Sequence, residues 1–122
     1  MAYTTVNKGS AHYNSALYSG NGTGTNAVTG LGFQPDLVCI KRRNSGTDWQ
    51  IHDSVRGKSG SNYQYIQCNN ANAQSVQGDS DGVNTLGSDG FTVGYTNSGA
   101  WNESGTEYIS YNWKAGTTSG IS

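Results

Sequence analysis

Apolar and polar positions alternate along this chain in short runs separated by glycine-rich turns, and no stretch of helical period stands between them. In FTVGY, residues Phe91, Val93 and Tyr95 fall on one face. In EYISYNWK, from Glu107 to Lys114, Ile109, Tyr111 and Trp113 share one face and Tyr108, Ser110 and Asn112 the other. DWQIHDS sets Trp49, Ile51 and Asp53 against Gln50, His52 and Ser54, and the next run opposes Tyr63, Tyr65 and Gln67 to Gln64, Ile66 and Cys68. Weaker strands are expected from Tyr13 to Tyr18 and from Thr25 to Thr29. The run Leu37-Val38-Cys39-Ile40 does not alternate, which marks a strand covered on both faces, in the middle of a sandwich or at a subunit contact. Just before it, Pro35 fixes its own φ and pushes Gln34 towards an extended conformation, so GFQPD sets a turn and the strand starts at Asp36 or Leu37. The pattern predicts about eight short strands in an all-β, antiparallel, jelly-roll-like β-sandwich. Without crossover helices, a parallel βαβ architecture is excluded.

Composition sharpens this picture. The chain has 122 residues, a hydrophobic fraction of 33%, only 12% charged residues and a mean hydropathy of -0.64. Disordered chains combine low hydrophobicity with high charge, and this one is low in both, so it reads as an ordered, polar, uncharged domain. Residues 1–12 are expected to form a polar N-terminal arm, 13–114 the sandwich, and 115–122 a flexible Gly/Ser-rich tail. So thin an apolar supply predicts that part of the stabilising burial occurs between subunits. The net charge of -1 lacks the basic stripe of a nucleic-acid binder. No apolar stretch approaches the roughly 18 residues of a membrane span. Met1-Ala-Tyr-Thr-Thr-Val has neither a basic nor an apolar leader region, so no signal peptide is expected.

Chemistry-bearing residues are few. Asp79 and Asp81 stand at calcium-loop spacing, but the nearest Glu is Glu103, so GDSDG reads as a turn, and no metal or cofactor is expected. Neighbouring strand residues point to opposite faces, so His52, Asp53 and Ser54 do not make a triad by themselves; His12 is the other histidine. The six Asp and two Glu sit mostly in turns, and no pair suggests glycoside chemistry. The glycine-rich stretches lack a Walker pattern. No catalytic residue is assigned, and the chain is expected not to be an enzyme. Cys39 and Cys68 are expected as buried free thiols rather than a bridge. Arg56 is expected to pair with Asp53 or Asp36, a structural tie. Eight tyrosines and three tryptophans suit either sugar stacking or subunit contacts. Trp49, Tyr111 and Trp113 are assigned to the core, and Trp101, in TNSGAWNESGT, to a surface contact with another subunit or a ligand. Lys41, Arg42 and Arg43 form a solvated or partner-facing end of the apolar strand.

Taken together, LYSGNGT at 17–23, VTGLGFQPDLVCIKRR at 28–43, HDSVRG at 52–57, SDGFTVG at 88–94 and YISYNWKAG at 108–116 resemble, in this order, a family of tailed-phage virion proteins. Many of these come from phages of marine and freshwater bacteria. The family often has Trp where this chain has Cys39, and its last motif ends like Trp113 to Gly116. Relatives are often longer, continuing into further β modules, whereas this chain is similar to a minimal stand-alone form or to the attachment end of a larger particle component. The resemblance implies Pro35, Asp36, Asp53, Arg56 and Trp113 as structural motif positions and supplies no catalytic residues. It implies a non-enzymatic capsid decoration or cement protein, a homo-oligomer and by expectation a trimer, that binds the major capsid protein on the outer virion surface. The alternative it leaves is a tail-fibre or receptor-binding module for host-surface glycans.

Overall fold

The computed structural model of the chain describes residues 8–115. Its ten strands are β1 (Tyr13–Ser19), β2 (Asn26–Val28), β3 (Leu37–Arg42), β4 (Gln50–Asp53), β5 (Lys58–Ser59), β6 (Asn62–Tyr63), β7 (Tyr65–Ile66), β8 (Gly82–Gly87), β9 (Gly90–Gly94) and β10 (Glu107–Trp113). Every pairing between them is antiparallel. A five-stranded sheet in the order β1-β10-β3-β4-β7 packs on a three-stranded sheet, β2-β9-β8, and β5 with β6 forms a small separate hairpin. The molecule is a β-sandwich. First strand lies against last in one sheet and second against penultimate in the other, the nesting of a jelly roll; β4 departs from it by staying beside β3 instead of crossing to the opposite sheet.

β10 is the spine. It pairs with β1 along its whole length, Tyr13 opposite Trp113 through Ser19 opposite Glu107, and with β3 from Leu37 opposite Trp113 to Arg42 opposite Tyr108. β3 runs on through Lys41 and Arg42 because their backbones continue this ladder. The run expected from Tyr63 to Cys68 is instead broken into β6 and β7, and the chain leaves the sheet after Ile66.

The core lies between the sheets. Val38, Ile40 and Tyr108 meet Val28, Val83, Phe91 and Val93 in one cluster, completed by Leu31, Phe33 and Trp101 from loops. Full burial of such a side chain stabilises by roughly 1.5–3 kcal/mol. The close approach of neighbouring backbone to β9 depends on glycine at both of its ends. A Cβ on Gly90 would stand 1.8 Å from the Val28 carbonyl oxygen, and one on Gly94 1.8 Å from that of Ser80. Ser88-Asp89 turns β8 into β9, and the Asp89 carboxylate accepts from Gly32 N–H (2.7 Å) and Gly30 N–H (3.0 Å), which hold its pKa below the usual range. Of the expected arm, residues 8–12 include a short 3-10 turn at Gly9–Ala11, and the His12 carbonyl accepts from Lys114 N–H at 2.8 Å. Residues 1–7 of the arm and 116–122 of the tail lie outside the described residues.

Candidate functional site

The alternation read from the sequence places residues on the correct shared faces, but the polarity of those faces is inverted. On the core side of β10 and β4 lie Ser110, Asn112, Gln50 and His52, each at most 2% exposed. The apolar set, Ile109, Tyr111, Trp113 and Ile51, faces outward. This corrects the assignment of Trp49, Tyr111 and Trp113 to the core. Trp113 is 40% exposed and stacks on Tyr13 at 5.1 Å between ring centroids, while Trp49 packs on Tyr111 at 5.9 Å. The physical reason is that loop residues, above all Trp101, fill the interior opposite these strands.

The outer face is built by register. Tyr111, Cys39, Ile51 and Ile66 are successive cross-strand partners running across four strands. Leu17, Ile109 and Lys41 form the parallel row on one side, and Tyr13, Trp113, Leu37 and Asp53 the row on the other. Such same-face neighbours stabilise a pair of strands by roughly 0.2–1 kcal/mol each. Val38 and Ile40 are fully buried against the second sheet, but Leu37 and Cys39 are only half-buried. Among the described residues, the expected cover of LVCI is therefore present on one face only. Two ion pairs lie on this side, Arg43 with Glu107 at 3.6 Å and Arg56 with Asp53 at 2.5 Å, while Lys41 Nζ donates to the Arg42 carbonyl at 3.3 Å. Burial, and behind it the neighbouring Cys68, pushes the Cys39 thiol up to about 11. Both cysteines are free; contrary to expectation Cys68 is exposed, because the chain has left the sheet before it.

Lys41, Arg42 and Arg43 do not form one cationic patch. Arg42 points to the inner side, where its guanidinium donates to Glu103 Oε2 (2.5 Å) and Thr106 Oγ1 (3.1 Å). Lys41 lies on the outer face and Arg43 at its rim, since consecutive strand residues alternate. Trp101 is not a surface residue: it is 1% exposed, and its indole N–H donates to His52 Nε2 at 2.9 Å. Burial lowers the His52 pKa to about 3, against a smaller upward pull from the Tyr63 backbone, so the ring is a neutral acceptor.

The loop carrying Trp101 is drawn inward by groups that the sequence reading passed over. The buried Asp81 carboxylate accepts from the backbone N–H groups of Thr96, Asn97 and Ser98, at 2.7 to 3.2 Å. The Tyr18 hydroxyl donates to the Trp101 carbonyl (2.9 Å), and the Tyr108 hydroxyl donates to the Gly99 carbonyl (2.6 Å). Asp81 thus serves the backbone, and among the described residues no group of three His, Cys, Asp or Glu is placed to hold a metal ion.

The remaining motif residues are ties. Buried Pro35 leads into Asp36, whose carboxylate accepts from Ser54 Oγ (3.0 Å) and Ala115 N–H (2.8 Å). Arg56 is held by Asp53, not Asp36, and donates also to the Ile51 carbonyl at 2.9 Å. Against the upward push of burial, hydrogen bonds from Arg56 hold the Asp53 pKa below its ordinary value.

Residues 8–122 match the family described as Domain of unknown function (DUF7483), and the chain belongs to that family. No curated protein and no solved structure matches it.

Proposed function

We propose that this member of the DUF7483 family is a non-enzymatic structural subunit of a tailed-phage virion, a decoration protein that binds the outer capsid and stabilises its lattice as a homo-oligomer. The observation that carries the reading is the polarity of β4 and of most of β10 in the five-stranded sheet, which bury Gln50, His52, Ser110 and Asn112 and turn Ile51, Ile109, Tyr111 and Trp113 outward. A single chain gains little by exposing Leu17, Ile66 and Trp113, at 62%, 38% and 40% of their surface, whereas a subunit awaiting a partner gains an adhesive face. The motifs that resemble those of virion proteins fit a structural role, because in this chain they make joints. HDSVRG forms the Asp53–Arg56 tie, SDGFTVG the β8–β9 turn, and QPD the Asp36 clasp. In a lattice, many modest contacts act together through multivalency, so each subunit needs only a small interface with its neighbours.

A glycan-binding tail module is the second reading, favoured by the half-exposed stacked pair Tyr13 and Trp113. Quantitative mass spectrometry of purified virions separates the two. Decoration predicts hundreds of copies in fixed ratio to the major capsid protein, whereas about a dozen or fewer would overturn it in favour of the tail.

A further inference from the structure

We propose that the outer face of the five-stranded sheet is the contact between two copies of this chain, packed sheet against sheet about a twofold axis. The proposal rests on the assembly reading and names the surface and the first partner.

Size is the first argument. Five strands about 4.8 Å apart, from about 24 Å down to about 7 Å long, give a face of roughly 420 Å² in projection, so pairing two removes on the order of 850 Å² in projection, near the lower bound for a specific interface. Corrugation by Trp113, Tyr111 and Leu17 adds to that area.

Charge is the second. Arg43 is paired with Glu107 and Arg56 with Asp53, and Lys41, in a flanking row, is left without a carboxylate partner among the described residues, so the face offers only a weak field to an acidic or basic partner. A surface with an apolar central row and a rim whose charges are largely paired within the chain can meet a copy of itself, which is the requirement of a twofold contact. Two sheets pack this way face to face about 10 Å apart, with the side chains of their inner faces interdigitating. The row Tyr111-Cys39-Ile51-Ile66 would then become the centre of a second core, covering the outer side of LVCI.

Sedimentation equilibrium across a wide concentration range tests this. The wild type is expected at twice the 12.9 kDa chain mass. Ile66→Glu, at a position 38% exposed in the single chain, is tolerated by the fold but puts charge into the central row of the contact. It is expected to weaken pairing by at least about a hundredfold, the effect of an unpaired charge in a desolvated interface. Leu17→Glu, at a position already 62% exposed, does the same without challenging the fold, and Val55→Glu, at 94% exposure in a turn, changes nothing. Near-ultraviolet circular dichroism from buried Trp101 reports that each variant is folded.

A wild type of one-chain mass throughout would overturn the proposal and give the face to capsid protein or glycan. A three-chain mass, or a two-chain mass that survives both outer-face variants, would also overturn it. The virion count is independent: many copies with no pairing leave the decoration reading standing, and pairing with few copies leaves only the twofold contact.

Discussion

The two faces of the five-stranded sheet are made from alternate residues of the same strands, yet they follow opposite rules. Within β10 the inner set is Tyr108, Ser110 and Asn112 and the outer set Ile109, Tyr111 and Trp113. The inner face sets polar groups beside the apolar Val38, Ile40 and Tyr108, and buries them because they are bonded: Asn112 Nδ2 donates to the Asn14 carbonyl at 3.1 Å and Ser110 Oγ at 2.9 Å, and His52 accepts from Trp101. Burying polar groups is tolerable only when they find partners, and here most do. The outer face carries the apolar set and, among the described residues, has no second layer over it, although apolar area gains most by leaving water. The difference teaches that this chain divides its apolar supply between an internal core, plugged by a loop tryptophan, and an external sheet face.

The sharpest way to break the comparison is to remove one tryptophan from each side. Trp101→Ala empties the core and strips His52 of its partner, and is expected to cost about 3–5 kcal/mol in urea denaturation. Trp113→Ala, on the outer face, is expected to cost the isolated chain about 1 kcal/mol or less, through its lost pairing with Tyr13. Equal losses would mean that the outer face is as much a core as the inner one.

Acid offers a smaller and more specific probe of the inner face. The folded His52 has its pKa lowered to about 3 from an ordinary 6.5. Between those values the unfolded chain binds a proton that the folded one refuses. The contribution is therefore intact above about pH 6.5 and is lost progressively as pH falls towards 3. From pH 7 to pH 5 this removes about 2 kcal/mol of unfolding free energy. In His52→Asn, which retains an acceptor for the Trp101 indole, the slope attributable to this group is expected to vanish, and an unchanged slope would assign the acid sensitivity elsewhere.

Much of this architecture was legible in the alternation. Period two, glycine turns and the Pro35 boundary gave the strands, their antiparallel order in a sandwich and the residues that share each face. What alternation does not carry is sign, that is, which face turns inward. Pattern reading sends the more apolar face to the core, and here it placed Trp49, Tyr111 and Trp113 inside and Trp101 outside. The decision lay with non-local partners. Trp101 is pulled in by Asp81 holding three amides of its loop and by two tyrosine hydroxyls from β1 and β10. None of these contacts is close in sequence to Trp101 and its loop together, except that Tyr108 lies only a few residues on. The one local hint was the absence of alternation in Leu37-Val38-Cys39-Ile40, which asked for cover on both faces. Lys41 to Arg43 misled for a simpler reason: a run of like charges in a strand is split between its two faces.

The central claim, that the outer face is covered in the working assembly, is tested most directly by hydroxyl-radical footprinting of the native assembly against the dilute free chain. Trp101, 1% exposed, serves as the protected standard and Val55, 94% exposed, as the open one. Trp113 is expected to be oxidised in the free chain and to fall close to the Trp101 level in the assembly, with Val55 unchanged. Equal oxidation of Trp113 in both states would contradict the account.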